Sequence, residues 1–210
     1  MRLPSFVPVV FALSAALLAA DPAPVALPEP QTTGGKPLMQ ALKERCSQRE
    51  FKADPLPAQL LSNLLWAAAG VNRPDGHRTA PTAHNRQEID VYVALESGLY
   101  LYEPKKHALV QMSDQDLRAA TGTQAFAATA PVNLVYAADF SRTEGGSEED
   151  KLVFAAAAVG FISQNVYLFC ASEGLATVVR ASFDRAVLPR AMKLRPEQRI
   201  ILAQTVGYSK

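Results

Sequence analysis

Arg45-Cys46-Ser47-Gln48-Arg49 puts two guanidinium groups and a hydroxyl within five residues, at the end of a predicted helix. Arginine grips a phosphate through two parallel N–H bonds, and serine adds a neutral donor. A solvated, charged helix end has the same composition, so this segment alone does not define a site. A second segment, Ala80 to Gln87 (APTAHNRQ), lies inside a polar, turn-rich stretch over 71–87. Loops of that length are usually functional or mobile. Pro81 stiffens the backbone there, and Asn85 and Gln87 carry amides that both donate and accept. An ordinary turn is the competing description. The third segment, Gly174 to Ala181 (GLATVVRA), is a β-branched run directly after a long apolar stretch. By itself it reads as core.

Other chemistries find little footing. No glycine-rich phosphate loop is present, because Gly145-Gly146 has no strand before it and no Gly-Lys-Ser/Thr after it. No G-x-S-x-G elbow occurs. His77, His84 and His107 are scattered, with no ligand partner four residues on, so no metal site is expected. No acid–base constellation of the catalytic kind emerges either. Cys46 and Cys170 are too few for a disulfide scaffold. They could pair after export or stay as thiols, and both options stand at this point. Lys plus Arg is 21 and Asp plus Glu is 20, which argues against a dedicated nucleic-acid binder. With 49% apolar and 20% charged residues, the 210-residue chain has an ordinary globular balance and the length of one domain plus an extension.

The elements that must position these segments follow from periodicity. Met1-Arg2 and the apolar run Phe6 to Ala20 have the form of an export signal cut after Ala20, with a retained anchor as the alternative. This implies an exported domain in a bacterial periplasm, without a stable membrane span after processing. Residues 21–35 carry four prolines and two glycines and form a linker or extended arm. The domain proper is 36–210. Within it, helices are predicted over 37–46 and 57–70, the latter with Leu60, Leu61, Leu64 and Leu65 as its apolar stripe. Ile89 to Leu95 alternates as a half-buried strand, and 99–103 returns from a Ser97-Gly98 turn. ALVQM (108–112) is a further strand, residues 114–128 look helical and alanine-rich, and 131–138 is a strand. Residues 140–150 form an exposed loop. A long helix from about Ser147 to Ser172, apolar nearly all round, reads as a central core or dimer helix, because Gln164-Asn165 interrupts any membrane span. A strand (176–180), a short helix (184–192) and a closing strand (198–206) complete a mixed α and β pattern.

In this order the segments resemble the nitroreductase family of FMN-dependent oxidoreductases, and most of all the branch with the dehydrogenases of azole-peptide synthesis. The family's R-R-S-x-R pattern corresponds to Arg45-Cys46-Ser47-Gln48-Arg49, with Cys46 in place of the second arginine. LLWAAAG (64–70), Arg78-Thr79-Ala80-Pro81-Thr82-Ala83, Gly98-Leu99-Tyr100-Leu101-Tyr102, the Gln-Asn helix and Val206-Gly207-Tyr208 complete the match over 37–208. The resemblance implies an α+β, three-layer α/β/α sandwich with a mixed, mainly antiparallel sheet. It also implies an intertwined homodimer with FMN at the interface. Carried over by position, Arg45, Cys46, Ser47 and Arg49 form the segment that holds the FMN phosphate and ribityl chain, and Lys210 adds a phosphate contact. Pro81, Thr82, Ala83 and Asn85 come from the other subunit and border the ring. Backbone at Val179, Arg180 and Ala181 approaches flavin N5. The implied reaction passes hydride from NAD(P)H or an organic donor to a small acceptor such as a quinone or nitro compound. An exported flavin-binding protein without turnover and an oxygen-using FMN dehydrogenase are the alternatives.

Overall fold

Apolar residues on both faces of the central strands build the core of the molecule, whose computed structural model describes residues 23–210. The export-signal reading of residues 1–20 lies outside the described residues. In chain order the elements are β1 (Val25–Ala26), α1 (Leu38–Glu44), α2 (Ala58–Ala69), β2 (Ile89–Leu95), β3 (Gly98–Glu103), β4 (Ala108–Ser113), α3 (Phe126–Thr129), β5 (Val132–Asp139), α4 (Glu148–Glu173), β6 (Leu175–Arg180), α5 (Val187–Ala191) and β7 (Gln198–Tyr208). The strands form one sheet in the order β1-β4-β3-β2-β5-β7-β6. Every described pair is antiparallel.

Helices cover both faces, as the three-layer expectation requires. On one face Leu61, Leu64 and Leu65 of α2 and Val159, Ile162 and Val166 of α4 pack on Ile89, Val91, Val93, Leu134 and Tyr136. On the other, Leu117, Phe183, Leu188 and Met192 pack on Tyr92, Val135, Ala137 and Ile200. All eight residues of β5 are buried between these layers. Each fully buried leucine or valine contributes about 1.5–3 kcal/mol.

The long helix α4 is set at both ends by its sequence. Ser147 and Asp150 form a reciprocal capping box at its start. Gly174 closes it at φ 70°, a left-handed conformation that glycine adopts without penalty. At 26 residues it is about 39 Å long. It is long and apolar enough to cross a membrane, yet it packs along α1, α2, β6 and β7. Its burial is one-sided rather than all round. Leu152, Val153, Phe154 and Phe161 are 40–61% exposed.

One expectation is corrected, and one pair of alternatives is resolved. Residues 114–128 do not form a helix: a 3-10 turn at Arg118–Thr121 gives way to extended Gly122, and only Phe126–Thr129 is α-helical. Alanine content favoured a helix there, but the segment instead wraps an arginine side chain described below. The Pro-rich stretch is an arm lying on the domain rather than a free linker. Its Val25 and Ala26 pair with β4, Ser62 Oγ donates to Pro28 O at 2.5 Å, and Lys36 N donates to Ser172 Oγ at 2.9 Å.

Candidate functional site

Helix α1 ends at Arg45, whose backbone is extended at φ −55°, ψ 118°. The chain then runs on along the rim of the sheet. Gln48 N donates to Thr177 O (3.0 Å), Lys52 N to Tyr208 O (2.9 Å) and Lys210 N to Glu50 O (3.4 Å). Phe51 forms a bridge with Ser209. In an extended segment successive side chains point to opposite sides. Cys46 and Gln48 accordingly line a small cavity of about 180 Å³ with Tyr167, Cys170 and Thr177. Arg45, Ser47 and Arg49 are not among the residues that line it. No carboxylate pairs with Arg45 or Arg49 among the described residues.

Tyr167 of α4 ties this segment to β6. Its hydroxyl accepts from Val179 N at 3.0 Å and shares a 2.8 Å hydrogen bond with Ser47 Oγ. The Arg45 guanidinium lies 5.3 Å from the centroid of its ring, within cation–π range. Strand β6 is the last in the sheet, so its outward backbone groups are open to partners outside the ladder. Thr177 and Val179 use theirs on Gln48 and Tyr167, and by the two-residue alternation Ala181 is the next outward position.

Arg180 points the opposite way, into the protein. It donates from Nε to Thr205 Oγ1 (3.0 Å), from Nη1 to Thr121 O (2.6 Å) and from Nη2 to Asn133 Oδ1 (2.8 Å). Burial alone pushes its pKa down, to about 10, so it stays charged at neutral pH. A Cβ on Gly122 would collide with Nη1, so glycine leaves the room the guanidinium occupies. Beside it the side-chain carbonyl of Gln124 is buried without a hydrogen-bond partner, and Thr123 N donates to Ser182 O at 2.9 Å.

The second sequence segment lies elsewhere in the chain. Thr82 Oγ1 accepts from Gln87 N (2.9 Å), and Gln87 Nε2 donates to Asn85 Oδ1 (3.0 Å). His84, Asn85 and Gln87 all have φ between 52° and 54°. Three left-handed non-glycine residues in four store strain of a kind found at functional loops. This loop leads into Ile89, which faces Ala138, while Ala138 faces Arg199 near the start of β7. The Arg45–Arg49 segment lies at the other end of β7, a strand about 35 Å long at 3.3 Å per residue. One chain therefore gathers Arg45, Cys46, Ser47, Arg49, Lys210 and the backbone of Val179, Arg180 and Ala181 toward one rim, while the Arg180 side chain turns inward. The same chain leaves Pro81, Thr82, Ala83 and Asn85 at another.

Cys46 and Cys170 border the same cavity but are not bonded; Cys46 is exposed and Cys170 buried. Burial pushes the Cys170 thiol well above its usual range.

Sequence reasoning missed Tyr167, Gln124 and Gly122. Tyr167 was detectable as a polar-tipped aromatic just after Gln164-Asn165 in an otherwise apolar helix. Gly122 and Gln124 were masked by the alanine-rich reading of their segment. As a whole the rim offers two cations without carboxylate partners among the described residues, a hydroxyl pair and outward strand-edge backbone at Ala181. Those groups suit a phosphate monoester joined to a flat polar ring.

Residues 42–208 match the sequence profile of the nitroreductase family. A nitroreductase-type protein of Methanocaldococcus jannaschii is 35% identical over 161 residues, covering 71% of this chain and 81% of that one. A crystal structure of a nitroreductase-type protein from Ralstonia eutropha JMP134 superposes with a TM-score of 0.86 and 44% identity over 99% of both chains. A Desulfovibrio desulfuricans protein solved in complex with FMN shares the fold, with a TM-score of 0.61 and 20% identity, over 84% of this chain and 88% of that one.

Proposed function

The chain belongs to the nitroreductase family of FMN-dependent oxidoreductases, and on that premise we propose that it passes hydride from NAD(P)H or an organic donor to a small acceptor such as a quinone or nitro compound. The observation that carries this reading is the convergence of Arg45, Ser47 and the Val179 amide on Tyr167, at the open edge of β6.

The residues present fit FMN. Two guanidiniums without carboxylate partners match a phosphate dianion, and Lys210 stands by the same segment. Ser47 offers a hydroxyl to the phosphate or ribityl chain. The unpartnered Gln124 carbonyl suits an imide N–H of the ring's pyrimidine edge. Backbone around Ala181 lies where an edge-on ring would meet it. When bound, FMN supplies the hydride-accepting N5, so the chain needs no acid–base residue of its own for that transfer. Its work is to anchor the phosphate, orient the ring against β6 and leave one ring face open for donor and acceptor in turn.

Thr82, Ala83 and Asn85 reach such a site only from a second copy of the chain, which supports a homodimer. The exposed apolar face of α4 supports it as well. The run Phe6 to Ala20 supports export to the periplasm. Purified protein is expected to be yellow, to bleach on adding NAD(P)H under anaerobic conditions and to recover its colour with a quinone. Bleaching by an organic donor but not by nicotinamide selects the dehydrogenase branch. A colourless chain that takes up no FMN from excess overturns the proposal.

A further inference from the structure

Arg180 is only 5% exposed, and every hydrogen bond it makes goes to a neutral acceptor: Thr121 O and Oγ1, Asn133 Oδ1 and Thr205 Oγ1. The Phe126 ring lies 5.9 Å from the guanidinium. No carboxylate pairs with it among the described residues. Burying a charge is costly unless an opposite charge answers it, and an apolar side chain of similar volume would fill such a space without that cost. The fold nevertheless accommodates the cation closely. Gly122 is stripped of a side chain to admit Nη1, and the 121–124 segment is tied to the strand's continuation through Thr123 N and Ser182 O. The hydrogen bonds fix the guanidinium in place without cancelling its charge. Its own backbone belongs to β6, whose opposite edge carries the proposed flavin contacts.

We propose that Arg180 is an electrostatic positioning residue, whose buried and unpaired guanidinium favours the reduced, electron-rich flavin over the oxidised form at the β6 edge. This rests on the FMN reading above. Reduction adds negative charge to the ring, and a fixed cation in a partly desolvated setting shifts the equilibrium on the order of tenfold. Arg45 and Arg49 meet the phosphate, whose charge does not change with redox state. Of the three arginines, Arg180 is the one assigned to the ring's change of charge.

The test compares the wild-type holoprotein with Arg180→Lys, Arg180→Gln and Asn133→Asp by equilibrium titration of the bound flavin against a reference dye. Asn133→Asp keeps the arginine and sets a carboxylate beside Nη2, so it carries the test if Arg180→Gln fails to fold. The Gln and Asp variants are expected to bind oxidised FMN as the wild type does. Their reduced FMN should be held about tenfold less tightly, a midpoint about 30 mV more negative for two electrons. Arg180→Lys should stay near the wild-type value. Unchanged midpoints in folded, yellow Gln or Asp variants overturn the proposal and leave the flavin function standing. A wild-type chain that takes up no FMN removes both.

Discussion

Arg45 and Arg49 stand two residues either side of Ser47's backbone, and no acidic side chain answers them among the described residues. Hydrogen bonds to charged groups contribute about 1.5–3 kcal/mol each. Arg45→Ala with Arg49→Ala is therefore expected to weaken FMN binding at least a hundredfold while leaving the melting temperature near that of wild type, as read by flavin fluorescence titration and thermal unfolding. A double variant that retains its colour through gel filtration contradicts the phosphate assignment. Gly122 makes the opposite kind of prediction. Gly122→Ala drives a methyl into Nη1 of Arg180, and such overpacking costs about 1–3 kcal/mol, read as a fall in denaturation midpoint. The two sites differ in how much the sequence betrays them. An Arg-x-Ser-x-Arg repeat is a local pattern and was legible. Arg180 was legible only as backbone, because its partners Thr121, Asn133 and Thr205 come from three separate stretches of chain that only the folded sheet brings together.

Among the elements, the arm that crosses α2 carries a directional chain of hydrogen bonds. Ser62 Oγ donates to Pro28 O (2.5 Å), so His107 Nε2 must donate to Ser62 Oγ (2.7 Å). His107 Nδ1 then accepts from the Tyr102 hydroxyl (2.9 Å). This order works only with a neutral imidazole. Desolvation lowers the His107 pKa, with the Pro28 contact opposing in part. A histidine pKa depressed by folding gives stability that is complete above the ordinary value of about 6.5 and lost as pH falls through the folded value. The arm is thus expected to loosen as pH falls below the ordinary histidine value of about 6.5, seen as faster proteolysis near Pro28, and His107→Gln should abolish that pH dependence. Strand signals on either side of this lock were plain in sequence, since period-two alternation over 89–95 and the Ser97-Gly98 turn are local. The two-residue strand Val25–Ala26 was not, because so short a segment has no period and is held by β4 and His107 O rather than by its own composition. Alanine-rich 114–128 misled for the related reason that helix propensity is weak against a tertiary demand such as Arg180.

At the scale of the molecule, the apolar helix α4 and the displaced loop 82–87 make one argument. Residues Val153, Ala156, Ala157, Gly160 and Phe161 are all exposed, spaced three or four apart along one face of α4. A Cβ on Gly160 would meet nothing within 4 Å, so this face is bare in the single chain. A two-fold pairing across it buries the same patch on both copies. In the homodimer proposed above, the same pairing is the route by which Thr82 and Asn85 of one copy are expected to reach the Arg45–Tyr167–Val179 rim of the other. Dimerisation and cofactor binding are then linked, and a substitution remote from every proposed flavin contact should disturb both. Val153→Asp and Phe161→Asp each place a carboxylate in the buried patch, a cost of several kcal/mol that lowers the dimer association constant at least about a hundredfold. Light scattering should report a monomer of unchanged helix content by circular dichroism, and FMN should be lost in step with the dimer. Raising protein concentration should then restore dimer and colour together. A colourful, stable monomer shows instead that one chain completes the site, and that the strained loop at Thr82–Gln87 serves a different partner.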